Sequence, residues 1–256
     1  AKGSLRLRID DIDAPRARPE YIEDIFYTLD WLGLDYDEGP SGPDELARSY
    51  SQQHNTELYL SHIQLLTEKG HTFVCRCSRK EMLAHSSDGQ YPGTCRNLGL
   101  APDTPDSSLR LRTPEDVSVH WQDLKLRACH VRPWEQMRDV VLRRRDGIPA
   151  YQIASVCDDL KEDINLIVRG EDLLPSTGVQ LWLAECMGAP GFGDIRFLHH
   201  PLLRDSSGEK LSKSAGAFSL KALRESGKGP EGVFSALASL MGWGEAGSLE
   251  ELAGFV

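Results

Sequence analysis

The chain has 256 residues, 40% of them hydrophobic and 27% charged, and carries a formal net charge of −10. That length holds one large domain or two modest ones, each with its own core. The acidic balance excludes indiscriminate attraction to nucleic acid but leaves room for a local basic face. No apolar run reaches membrane-spanning length, and Ala1-Lys2-Gly3-Ser4 is not a signal peptide. Six cysteines in a chain this long do not make a secreted disulfide framework, so a reduced cytoplasm is expected. The absence of an initiator methionine suggests a chain that begins inside a longer one.

Leu5-Arg6-Leu7-Arg8-Ile9 alternates with period two and predicts a strand that ends at Asp10-Asp11-Ile12-Asp13. A helix follows from about Pro19, with Ile22, Ile25, Phe26, Leu29 and Leu32 on one core-facing side and Gly33 as its stop. Gly39 to Pro43 reads as a loop, and a second helix ends near Lys69-Gly70. The character changes from His71 to about Arg138, where strand-like pieces, prolines and three cysteines suggest an inserted module. Asp146-Gly147 marks a turn between Val140-Val141-Leu142 and Ile148. Asn165 to Val168 is predicted as a buried strand, Thr177 to Met187 as a helix, Ile195 to Leu198 as a strand, and the residues after Ser219 as helical. Strands alternating with helices around one interruption make an α/β fold with an insertion.

Cys75-x-Cys77 followed by Tyr91-x-x-x-Cys95 carries the most specific chemistry. Thiols two apart on a strand share a face, and a returning loop brings a third, which suits a tetrahedral, structural zinc site. The fourth ligand is Tyr91 or the more conventional His85, while Cys129, Cys157 and Cys186 read as small buried apolar groups. Asp10-Asp11-x-Asp13 fits an amine-binding carboxylate, an Asp-x-Asp site for Mg²⁺, or a solvated turn with capping aspartates. Tyr151 and Ser155 lie four apart, so a helix puts them on one face, either to orient a small polar ligand or, for Tyr151, to fill a core. Arg169, just past a predicted buried strand, suits a substrate carboxylate or an ion pair with Glu171 or Asp172. Arg143-Arg144-Arg145 reads as the solvated side of a hairpin, with an RNA backbone as the rival partner. Gly208-Glu209-Lys210-Leu211-Ser212-Lys213-Ser214-Ala215-Gly216 can swing two ammonium groups onto a polyphosphate; read alone, it is a polar surface loop.

Taken in order, several of these pieces resemble the glutamyl-tRNA synthetase family of class I aminoacyl-tRNA synthetases. They are Arg8-Ile9-Asp10-Asp11-Ile12-Asp13, Trp31-Leu32-Gly33-Leu34 with Asp37-Glu38-Gly39-Pro40, Tyr151 with Ser155-x-x-Asp158-Asp159, Val168-Arg169-Gly170-Glu171-Asp172-Leu173 and Lys210-Leu211-Ser212-Lys213-Ser214. The resemblance implies a Rossmann-type parallel sheet split by a zinc-bearing acceptor-binding module. Residues 1–70 and 139–220 would form the two parts of the catalytic domain, 71–138 the module and 221–256 a C-terminal helical segment. It also implies glutamate held by Asp10, Tyr151, Ser155 and Arg169, and ATP with Mg²⁺ handled by Lys210, Ser212 and Lys213, the two lysines being catalytic. Zinc would sit on Cys75, Cys77, Tyr91 and Cys95, the partner would be tRNA, and the chain would be a monomer with no membrane attachment.

Within the family the match is closest to the short branch that glutamylates the queuosine base of tRNA(Asp). The grounds are the Tyr91-x-x-x-Cys95 pattern, Asn97 where ordinary members finish with Cys-x-His, and too few residues after Lys213 for an anticodon-binding domain. The alternatives are a fragment of an ordinary enzyme charging tRNA(Glu), a metal-dependent nucleotidyl or glycosyl transferase, and a non-catalytic RNA-binding remnant. Two departures stand out. Asp10 occupies a position where much of the family has glutamate, and the His-Ile-Gly-His signature is not in the chain, so residues 1–256 alone are expected to be nearly inactive.

Overall fold

The structure, a computed structural model, describes residues 3–84, 86, 90–202, 204 and 220–255. In chain order the elements begin with α1 (Pro19–Leu32), α2 (Pro43–Glu45), α3 (Thr56–Glu68), β1 (Thr72–Cys75), α4 (Arg79–Ala84) and β2 (Ser108–Leu111). They continue through β3 (Val119–Asp123), β4 (Arg127–Val131), α5 (Pro133–Met137), β5 (Val141–Arg143), α6 (Tyr151–Lys161) and β6 (Leu166–Gly170). The last are α7 (Leu174–Met187), β7 (Arg196–His200), α8 (Leu220–Glu225), α9 (Glu231–Leu240) and α10 (Leu249–Ala253). The chain forms two compact units, Ala1–His54 with Leu202–Val256, and Asn55–Pro201.

In the first unit, α1 starts on a proline and stops at Gly33, whose φ of +66° lets its N–H reach the Asp30 carbonyl while Leu34 N–H reaches Leu29. Arg224 of α8 donates to Thr28 and Asp24 of α1, and Leu32 packs on a cluster of Phe234, Ala238, Ala246 and Leu252. The expected core face of α1 is only partly covered among the described residues: none of its side chains is buried, and Ile25 is 38% exposed. Leu5–Ile9 is not a strand. It makes a single parallel bridge, Arg6 to Glu38, because its backbone neighbour is the short turn around Asp37-Glu38 rather than an extended strand.

The second unit carries two sheets. One is antiparallel, in the order β1-β2-β5, and the other is mixed, in the order β4-β3-β7-β6. The β5 strand turns back through Asp146-Gly147 as the sequence predicts, with Gly147 at φ +85° and Arg144 N–H on the Ile148 carbonyl. In the mixed sheet, β6 and β7 run parallel from Leu166↔Arg196 to Gly170↔His200, and α7 supplies the crossover that a parallel pair requires. The expected all-parallel sheet is interrupted because β3 and β4 are joined by a tight turn, which permits only antiparallel pairing.

The β6 strand lies at the sheet edge, so the predicted burial of its apolar run fails: Leu166 is 40% and Val168 59% exposed. Helix α7 approaches β4 closely at Gly178, where a Cβ would collide with Val131. Around it, Ile153, Val156, Leu183, Phe192 and Phe197 are almost wholly buried. No helix among the described residues is long and apolar enough to cross a membrane.

Candidate functional site

Side chains alternate along β1, so Phe73 and Cys75 share a face, and the register Phe73↔Arg110 puts Arg110 of β2 on that face too. Cys77 follows the strand, and the Tyr91–Cys95 loop returns with the Cys95 N–H donating to the Tyr91 hydroxyl at 2.8 Å. The three sulfurs of Cys75, Cys77 and Cys95 lie within 4.8 Å of one another, those of Cys77 and Cys95 at 3.5 Å, and all six cysteines are free. Sulfurs bound at about 2.3 Å in a tetrahedron around zinc stand roughly 3.8 Å apart, so the set fits that ion. Tyr91 packs in the same cluster, its ring stacked on Phe73 and its hydroxyl accepting the Cys95 N–H, while His85 lies outside the described residues.

Electrostatics follow from burial and from Arg110. Burial pushes the Cys77 thiol up to about 12, with the neighbouring Cys95 thiol acting in the same direction, and raises the Tyr91 phenol as well. Cys75 goes the other way. Burial opposes its ionisation, but hydrogen bonds from Tyr91, the Cys77 N–H and Arg110 outweigh it and hold the thiol below its ordinary value.

The other region stands at the end of β6. Arg169 is 9% exposed; one terminal nitrogen donates to Gln180 Oε1 at 2.9 Å, and the guanidinium lies 5.2 Å from the Phe197 ring centroid. Gln180 lies on α7 one turn after Thr177, and the Thr177 hydroxyl bonds His199 Nε2 at 2.8 Å. His199 is the register partner of Arg169 across the parallel pair. Its Nδ1 and its backbone N–H both meet Asp123 Oδ2, at 2.6 and 3.1 Å. Since an ionised carboxylate only accepts, His199 carries a proton on Nδ1. Asp123 Oδ1 accepts the N–H groups of Lys125 and Leu126. Burial opposes the charge on Asp123, but the Leu126 N–H, His199 and Lys125 N–H hold its carboxyl below the usual value.

Asp123, Thr177, Gln180 and His199 were not singled out from sequence. They stand on β3, α7 and β7, and no spacing rule connects three elements so far apart in the chain. Tyr151, the first residue of α6, is 42% exposed, whereas Ser155 one turn later is buried. On α3, Tyr59 and Asn55 both bond Asp158 of α6, and burial, with Asp158 beside it, raises the Tyr59 phenol. A groove of about 830 Å³ lined by His120, Trp121, Trp182 and Glu185 includes none of Tyr151, Ser155 and Arg169.

In the first unit, Asp10 accepts from Arg8 at 3.0 Å and from the Gln52 amide at 3.2 Å, so it is held at the surface by side chains. Asp11 is buried and accepts the Gln52 N–H at 2.8 Å, which makes it a backbone anchor. Among the described residues, the cysteine set is the one group of three side chains arranged to hold a metal, so Asp11 and Asp13 form no such group. Cys157 and Cys186 are buried as expected, with burial raising their thiols to about 12 and about 11, whereas Cys129 is only half-buried. Arg144 pairs with Asp146 at 2.6 Å and Arg145 donates to the Arg76 carbonyl, in keeping with a hairpin side. Lys210, Ser212 and Lys213 lie outside the described residues.

Comparison with known proteins places this geometry. A glutamate--tRNA ligase of Anaeromyxobacter sp. (strain Fw109-5) is 36% identical over 250 residues, covering 94% of this chain and 51% of that protein. A glutamyl-Q tRNA(Asp) synthetase of Nitratidesulfovibrio vulgaris is 37% identical over 257 residues, covering 94% of this chain and 77% of the relative. The crystal structure of a glutamate tRNA ligase from Elizabethkingia meningosepticum superposes with a TM-score of 0.72 at 24% identity, over 98% of this chain and 57% of that one, and so shares the fold. The chain thus spans about half the length of the glutamate--tRNA ligases it matches. The family of tRNA synthetases class I (E and Q), catalytic domain, matches residues 1–253, and the chain belongs to that family.

Proposed function

We propose that this chain is the catalytic part of an ATP-dependent ligase that activates glutamate and transfers it to tRNA. The observation that carries the reading, within a class I glutamate and glutamine synthetase domain, is Arg169. It is a buried guanidinium at the C-terminal end of a parallel strand, turned by Gln180, where open α/β sheets place their ligands. A fixed planar fork of this kind binds a carboxylate through two charge-assisted bonds. Tyr151 and Ser155 are assigned to the same substrate, and Asp10 to its α-ammonium, on motif grounds.

In the activation step a glutamate carboxylate oxygen attacks the α-phosphorus of ATP. The bond to the bridging oxygen breaks, pyrophosphate leaves, and a mixed anhydride remains. Lys210 and Lys213 are assigned to the phosphate charge that grows during that displacement, with Mg²⁺ accompanying ATP. No covalent enzyme intermediate is needed, so the protein contributes position and charge. Zinc is assigned to Cys75, Cys77 and Cys95 with Tyr91 as fourth ligand, and it contributes folding energy to the β1–β2 region.

For the acceptor, the 3′-terminal ribose of tRNA(Glu) is the first reading, supported by glutamate--tRNA ligases among the relatives. Transfer to the queuosine base of tRNA(Asp) is a second reading, favoured by the Tyr91 hydroxyl at the cysteine cluster and by Asn97 two residues beyond Cys95. Labelled glutamate offered to tRNA(Glu), and to tRNA(Asp) with and without queuosine, separates them. Label removed by trimming the 3′ end supports the first reading, and label that requires queuosine supports the second. Labelling of neither RNA by the full protein would overturn the proposal.

A further inference from the structure

Arg110 poses a problem of charge. Its side chain is only 5% exposed, and a guanidinium stays protonated wherever it is placed. Its terminal nitrogens donate to the Asp139 backbone carbonyl at 2.7 Å and to the Met82 sulfur at 3.0 Å, both neutral acceptors, its Nε has no hydrogen-bond partner among the described residues, and the one group beside it that it draws towards ionisation is the Cys75 thiol. The carboxylate of Asp139 is turned instead to Arg96. A buried cation with neutral partners is costly unless an anion stands beside it. The groups beside it are those of the cysteine cluster: the guanidinium carbon lies 3.9 Å from the centroid of the Tyr91 ring, and the strand register fixes Arg110 on the face that carries Cys75. A one-residue slip of β2 would send the side chain to the opposite face.

We propose that Arg110 is the resident counter-charge of the metal centre formed by Cys75, Cys77 and Cys95. This rests on the zinc reading above. Three thiolates around a divalent ion leave the centre net negative before any fourth ligand is counted, in an interior that tolerates no uncompensated charge. The cation offsets one of those charges from a position where it cannot itself ligate. A bound metal would hold the thiolates beside Arg110 in their charged form, so cation and centre would stabilise each other.

The test uses the full protein and reads metal affinity, not catalysis. Zinc affinity is measured by competition with a chromophoric chelator, and Co²⁺ substitution reports thiolate ligation by charge-transfer absorption. Arg110→Met should weaken zinc binding about 10- to 100-fold; Arg110→Lys, which keeps the charge, should retain most of the affinity. In a Cys77→His background, where a neutral ligand replaces one thiolate, Arg110→Met should cost several-fold less, a coupling measured as a double-mutant cycle. Unchanged affinity in Arg110→Met, or an equal loss in both backgrounds, would reduce Arg110 to a packing residue. If Arg110→Met does not fold, the Lys variant decides alone: a loss as large as removing a cysteine would contradict a role based on charge. Absence of zinc and of cobalt–thiolate absorption in the unmutated protein would instead overturn the metal reading itself.

Discussion

Two arginines are buried in the Asn55–Pro201 unit, and the difference between their surroundings separates a structural charge from one assigned to a substrate. Arg110 sits over Tyr91 at 3.9 Å, beside thiols that become thiolates when a metal is bound. Its charge belongs to a closed centre. Arg169 is oriented by the neutral Gln180 amide and by the Phe197 ring, at the end of an edge strand. Those contacts fix the direction in which the guanidinium points. What surrounds a buried guanidinium, more than burial itself, therefore indicates its work.

The largest expected effect lies on the metal side. Cys95→Ser should strip bound zinc and unfold the β1–β2 region, because structural zinc contributes about 10–16 kcal/mol of apparent binding energy in small finger peptides. Elemental analysis of freshly purified, unchelated protein and thermal denaturation read the outcome. One zinc per unmutated chain is expected, and none would remove the metal from the comparison.

Next comes the substrate arginine. Arg169→Ala should raise the glutamate KM roughly 30- to 5,000-fold with little change for ATP, corresponding to about 2–5 kcal/mol for a lost charge-assisted pair. Gln180→Leu sharpens the point. It leaves the charge and removes its orienting bond, so a smaller rise in glutamate KM of about 10- to 100-fold is expected, with the fold retained. An effect on ATP equal to that on glutamate would make Gln180 a general packing residue.

The smallest effect concerns the support behind Arg169. Asp123→Asn should destabilise the chain by about 1–3 kcal/mol at neutral pH, since it weakens bonds to His199 and to two backbone N–H groups. Because the folded carboxyl is held below its ordinary value, its contribution is complete above about pH 4 and is lost as pH falls through the lower folded value. The gap between variant and unmutated protein, followed by denaturant titration, should therefore close on acidification below about pH 4. A gap that widens in acid would contradict the assignment.

These regions were unequally legible in the sequence. Cys75, Cys77, Tyr91 and Cys95 lie within one short stretch, and strand alternation plus a returning loop suffice to bring them together. Helices ending at glycines with positive φ were legible for the same local reason, as at Gly33 and Gly70. The frame of Arg169 was not, because Asp123, Thr177, Gln180 and His199 stand on three elements, β3, α7 and β7, that only the tertiary fold brings together. Apolar runs misled in two places. Asn165 to Val168 forms a strand as predicted, but edge position exposes Leu166 and Val168; Leu5 to Ile9 has the strand pattern without a strand beside it. Periodicity records what a segment can bury, and a neighbour decides whether it does.

Amino-acid dependence of ATP–pyrophosphate exchange tests the central claim most directly. The full protein, supplied with magnesium, ATP and labelled pyrophosphate, should exchange label into ATP when glutamate is present and not when aspartate or no amino acid is supplied, and Arg169→Ala should require far more glutamate. Exchange that is indifferent to the amino acid, or a glutamate requirement unchanged in Arg169→Ala, would contradict the account.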